Sequence, residues 1–190
     1  MQLLKKVLNF SAERYLKTAG DLFIYHSDYA GALEMVDKAL THDETDTRAL
    51  VLRGDILFCL NQDQEALASF NQALELNEEL AEAYISKAGV LEVMGRYREA
   101  LWCCQRAMTC ITEDKSYLYP SLFDQQILLL IRLKRFRHAE QVLKQSSHKL
   151  GEKDYEYLSA SYRGLIDHLI KNRRSLRRQQ ASPRLSVVRA

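Results

Sequence analysis

Residues 47–80 read TRALVLRGDILFCLNQDQEALASFNQALELNEEL, and this stretch decides the fold. Leu50, Gly54, Leu57 and Leu60 recur at helical spacing and share one face. Asn61, Gln62 and Asp63 form a short polar break. Ala66, Leu67, Phe70, Ala73 and Leu74 then give a second helical apolar face. Gly54 is the informative residue, because a glycine inside a helix costs about 1 kcal/mol relative to alanine. It is tolerated where another helix must approach closely. Ala66 and Ala73 are the small residues expected to face it, so the stretch predicts two helices packed antiparallel, small against small.

The pattern returns at a shift of 34 residues. Forward, Gly54, Leu57, Ala66 and Ala73 become Ala88, Leu91, Ala100 and Ala107; backward they become Gly20, Phe23, Ala32 and Ala39. Tyr29 and Tyr97 stand three residues before Ala32 and Ala100, with Asp63 in the middle copy. Self-similarity at this period marks a repeat architecture, and the Gly–Ala–Phe skeleton resembles the tetratricopeptide repeat (TPR) family. Departures from that pattern are clear. Leu16, Leu50 and Tyr84 replace its tryptophan, and Arg53 and Lys87 stand where leucine is usual, with stems packed and heads expected in water. Glu44, Glu78 and Thr112 replace the closing proline, which suggests helical overlaps between repeats. The resemblance implies an all-α, right-handed TPR superhelix, a solenoid of antiparallel helix pairs closed by a C-terminal capping helix.

The expected order is an N-terminal helical segment at 1–12, repeats at 13–46, 47–80 and 81–114, a degenerate fourth repeat at 115–150, a capping helix at 151–170 and a basic tail at 171–190. Lys5 and Lys6 near the start hint at a targeting peptide, but no apolar core or small-residue cleavage site follows. The fourth repeat fits if residues 115–119 are inserted, placing Ile127, Leu130, Phe136, Ala139 and Leu143 in register. Pro120 suits a first helical turn, and Gly151 is expected to end the repeat's second helix. Tyr155, Leu158, Tyr162, Leu165, Ile166 and Leu169 line one side of the capping helix. The run Ile127, Leu128, Leu129, Leu130 and Ile131 is far shorter than a membrane span requires.

The 27 Lys and Arg residues against 25 Asp and Glu give a net charge of +2. Lys171, Arg173, Arg174, Arg177, Arg178, Arg184 and Arg189 gather in the tail without an acid, which leaves the repeat body acidic on balance. Such a tail, with no apolar period, is expected to be disordered. Cys59, Cys103, Cys104 and Cys110 form no paired metal-ligand spacing and read as free thiols of a cytoplasmic protein. His26, His42, His138, His148 and His168 lie in no catalytic or zinc motif, and no glycine-rich phosphate loop occurs. No catalytic residue, cofactor or metal is expected, and the protein reads as a non-enzyme.

In the family resembled, the first helix of each pair lines a concave groove. Off the packed stripe the first repeat offers Arg14, Lys17, Thr18, Asp21, Ile24 and Tyr25. The second offers Arg48, Val51, Leu52, Asp55, Phe58 and Cys59, and the third Glu82, Ile85, Ser86, Gly89, Glu92 and Val93. Val51, Leu52, Phe58, Ile85 and Val93 are apolar for a solvated wall, so they are either covered by adjacent helices or available to a partner. Some co-chaperones of the family clamp a peptide carboxylate with lysine, asparagine and arginine. Lys17, Asp21, Leu52, Glu82 and Ser86 stand at those places here, and only Lys17 matches, which excludes the clamp. The leading expectation is an adaptor or scaffold that holds a peptide or helix of another protein in the groove. Alternatives are nucleic-acid or anionic-membrane binding by the tail, chaperone-like holding of an apolar segment, and self-association.

Overall fold

The computed structural model describes residues 2–181, with side chains described for residues 11–175. Among them the regular elements are all helical: α1 (Gln2–Asp21), α2 (Tyr29–His42), α3 (Thr47–Cys59), α4 (Asp63–Leu76), α5 (Ala81–Val93), α6 (Tyr97–Cys110), α7 (Tyr119–Arg132), α8 (Phe136–Ser146) and α9 (Glu152–Ala181). None is long and apolar enough to cross a membrane. The chain divides into two compact units, Met1–Ser116 and Tyr117–Ala190.

The first unit consists of three helix pairs, α1 with α2, α3 with α4 and α5 with α6. Successive pairs stack through α2 on α3 and α4 on α5, and α3 also meets α5 directly. Ala32, Ala66, Ala100, Ala73 and Ala107 are fully buried, as the period requires. The atoms nearest to Gly54, however, are those of Phe70. A Cβ placed on the glycine would lie 2.5 Å from Cε1 of Phe70. The glycine makes room for a fully buried aromatic ring, so the contact is small against large. In the first pair Val36 stands where Phe70 does, and a Cβ on Gly20 would meet nothing within 4 Å.

The turns within pairs show why the helices stop. Asn61, Gly95 and Lys134 each have positive φ, at 58°, 73° and 56°. The following amide reaches back in the same way each time, from Gln62 to Leu57 O, Arg96 to Leu91 O and Arg135 to Leu130 O. This is the left-handed helix stop that satisfies terminal carbonyls. Its recurrence between α7 and α8 gives that pair the hairpin geometry of the earlier ones. The first pair differs: residues Leu22–His26 form a widened π-helical turn before Ser27, whose φ is 53°.

Between the first three repeats the expected helical overlaps are absent. Four-residue links join α2 to α3 and α4 to α5. Asp43 and Asn77, one repeat apart, accept bonds from the amides of Thr45 and Glu79, each at 3.0 Å. These side-chain turns stop the chain without the proline. Asp46 then caps α3, accepting from Arg48 N at 2.9 Å. Arg53 and Lys87 also depart from expectation, since their heads bond across helices. Arg53 donates to Asp37 at 2.8 Å and to the buried Ser69 at 2.9 Å, and Lys87 donates to Asn71 at 2.6 Å.

In the second unit α7 opens with Pro120 in its first turn and pairs with α8, and α9 packs on both. Gly151 does not cap α8, which ends at Ser146; a turn intervenes and α9 begins at Glu152. Leu158, Tyr162 and Ile166 are buried, whereas Leu165 is 46% exposed, so the apolar stripe is narrower than its sequence suggests. The Tyr162 hydroxyl donates to Asp124 of α7 at 2.7 Å. Two further boundaries move. α1 runs without a break through residue 12, and α9 continues to Ala181 through positions expected to be unstructured. The expectation of disorder at 182–190 lies outside the described residues.

Candidate binding groove

First-helix positions return every 34 residues, so they form rows across the first unit. Lys17, Val51 and Ile85 make one row, Thr18, Leu52 and Ser86 the next, and Asp21, Asp55 and Gly89 a third. Direct packing of α3 on α5 brings the second and third repeats' rows together. There a hollow of about 280 Å³ opens, with Val51, Leu52 and Leu80 supplying apolar surface and Asp55, Glu82 and Lys115 supplying charge; Thr47 and Arg48 complete its edge.

The charges are arranged unequally. Lys115 holds Glu82 at 2.9 Å, and Arg48 is bound by Glu13 at 2.7 Å and Asp46 at 2.9 Å. Asp55 has a hydroxyl as its partner instead, that of Ser86 on the neighbouring helix. Burial pushes the Asp55 carboxyl up from 3.8 to about 6, and the Ser86 hydrogen bond only partly opposes this. Burial, with the Asp55 charge second, also raises the nearby Cys59 thiol.

Of the groove positions named from the sequence, Arg48, Val51, Leu52, Asp55 and Glu82 line this hollow. Lys17, Asp21, Ile24, Tyr25, Phe58, Ile85 and Val93 do not. Leu52 is shared with the core, packed on the cluster around Ala19, Ala49 and Ile56. Ile24, Tyr25 and Val93 are open to solvent at 67%, 76% and 69%, the first two on the π-helical turn. Leu80 and Lys115 were missed, because one ends an inter-repeat link and the other lies in the insert after the third repeat. In the tail, Arg173 and Arg174 belong to the cleft described below, Lys171 is exposed outside it, and the side chains of Arg177 and Arg178 lie outside the described residues.

The sequence pattern of the tetratricopeptide repeat matches residues 47–80. The chain thus contains a tetratricopeptide repeat, and its fold is that of tetratricopeptide-repeat solenoids. Its fold is similar to that of MamA, at 20% identity and a TM-score of 0.65 over 85% of this chain and 86% of that one. It is also similar to the TPR2B domain of yeast Sti1 in its pHsp70 complex, at 24% identity and a TM-score of 0.58 over 62% of this chain and 94% of that one. A third likeness is to the first TPR of Spaghetti (RPAP3) bound to the HSP90 peptide SRMEEVD, at 17% identity and a TM-score of 0.59 over 66% and 94%. At these identities the likeness is one of fold. No curated protein matches the sequence.

Proposed function

We propose that this TPR protein is a non-catalytic adaptor that holds a segment of another protein in the α3–α5 hollow. The observation that carries the reading is the pairing of apolar wall and charge there: Val51, Leu52 and Leu80 beside Asp55, whose described partner is a hydroxyl. A segment presenting one apolar side chain and one lysine or arginine matches that surface. A cation brought to Asp55 replaces the water it lacks. The Spaghetti structure holds an HSP90 peptide and the Sti1 structure is a pHsp70 complex, both on the same fold, which supports a protein partner. The carboxylate clamp does not transfer, because Glu82 is occupied by Lys115 and Ser86 by Asp55.

Crosslinking capture from the native cell tests the reading, comparing the full chain with Val51→Glu and Asp55→Lys. Val51 is preferred to Leu52 because Leu52 also serves the core. Loss of one shared captured protein in both variants, at unchanged helical content, is the expected result. Equal capture by all three proteins overturns the assignment. Light scattering over a concentration series separates a foreign partner from self-association.

A further inference from the structure

The run from Arg132 to His138 alternates bases with Leu133 and Phe136, and it forms the turn from α7 into α8. α9 passes beside this turn. Together they enclose a cleft of about 380 Å³. Lys134, Arg135, Arg137 and His138 line it from the turn, Arg173 and Arg174 from α9, and no carboxylate is in the lining. Phe136 and Ile170 supply apolar surface between them.

The arrangement is costly for the protein alone. Five obligate cations line a space the size of one small molecule, where like charges repel. Three basic side chains, those of Arg135, Arg137 and His138, also sit at the N-terminus of α8, the positive end of its dipole. The other second helices have the opposite chemistry: Asp28 caps α2, Asp63 and Glu65 open α4, and Glu99 opens α6. α8 has no acid in its first turn and no side-chain cap. Glu140 feels two of these cations, but Lys144 already holds it at 2.7 Å. The Glu140 carboxyl is lowered first by Lys144 and then by Arg137 and Arg174.

The cleft is also pre-organised. Arg173 donates to the Lys134 carbonyl at 2.7 Å and stacks its guanidinium 5.9 Å from the Phe136 ring centroid. That fixes a planar fork and leaves further N–H groups for a ligand. From this geometry we propose that the cleft binds a compact group carrying two or more phosphate monoesters, of the inositol-polyphosphate type. Dense charge in one small ligand matches convergent cations. A nucleic-acid strand spaces single phosphates along a line and seeks bare aromatic platforms. Here six basic residues line one compact cleft, and Arg173 covers the Phe136 ring. The same headgroup chemistry occurs free in solution or on a phosphoinositide lipid.

Calorimetry of the full chain with inositol hexakisphosphate tests this, using wild type and the Arg137→Ala/Arg174→Ala double variant. These two residues spare the Arg173 contact that ties α9 to the turn. Expected are saturable, salt-sensitive binding and affinity lower by about tenfold or more in the variant, with helical content unchanged. Lys38→Ala, on α2 of the first unit and not in the cleft lining, is expected to bind as wild type. Flotation with vesicles containing a polyphosphoinositide, against vesicles of equal charge made with phosphatidylserine, assigns the source. Preference for the first supports a lipid headgroup, and no preference alongside soluble binding supports the free ligand. Absence of soluble binding, an unaffected double variant, or tighter binding of single-stranded RNA than of the polyphosphate overturns the proposal.

Discussion

Gly54 and Phe70 form one contact in two halves: the missing Cβ of the first is the space into which the ring of the second is packed. Gly54→Ala gains helix propensity of about 1 kcal/mol but forces the ring to move in a fully packed site, at about 1–3 kcal/mol. The third repeat uses Ala88 and Cys104 at these two positions, both buried. Gly54→Ala is therefore expected to destabilise, Phe70→Cys to cost about 3 kcal/mol through its cavity, and the double variant to be more stable than the two effects summed. Urea unfolding of the four proteins measures the coupling, and strict additivity would show that the two positions do not share a contact.

Asp55 gives the fold a pH dependence with a fixed sign. Its folded-state value of about 6 lies above the ordinary 3.8, so between those values the folded state holds a proton that the unfolded state has lost. Its contribution to stability therefore falls as pH rises from about 4 to 6 and is flat above that window. Asp55→Asn keeps an acceptor for Ser86 and cannot ionise. It is expected to raise stability above pH 6 by roughly 1–3 kcal/mol and to flatten that part of the profile. Thermal unfolding across pH 4–8 checks both, and a variant that follows the wild-type profile refutes the assignment.

Leu165 and Ile166 are neighbours with opposite fates, 46% and 1% exposed. Leu165→Asp is expected to change stability by roughly 1 kcal/mol or less. Ile166→Asp places a charge where α9 meets the rest of the second unit, and a loss of at least about 3 kcal/mol is expected. Equal effects in denaturant titrations would mean that α9 is rotated from the position described.

The Tyr162 hydroxyl joins α9 to Asp124 of α7. Tyr162→Phe keeps the ring and removes that donor to a carboxylate, with an expected cost of about 1.5–3 kcal/mol. Amide exchange is expected to quicken in α9 and leave α3 and α4 unchanged. Uniform quickening would contradict a bond local to the second unit.

The helix pairs were legible because their signals are local. Leu57, Ala66, Phe70 and Ala73 lie within one hairpin, and the 34-residue return of their pattern multiplies that signal. The links were misread because the proline rule hid the side-chain turns of Asp43 and Asn77, which do the same work by hydrogen bonding. Gly54 stands out in the sequence, but its pairing with Phe70 does not. Periodicity says which residues share a face, and only the offset between two helices says which side chain fills the gap.

By itself, then, the sequence determined the all-helical repeat, its register, and the small residues that let paired helices close. Tertiary structure decided the sites. Asp55 owes its raised carboxyl to burial beside α5, and it meets Ser86 only because α3 lies against that helix. The bases at 134–138 meet Arg173 and Arg174 because α9 folds back along the turn. Helical periodicity is fixed over a few residues, whereas the meeting of side chains 31 or 39 positions apart depends on how whole helices pack.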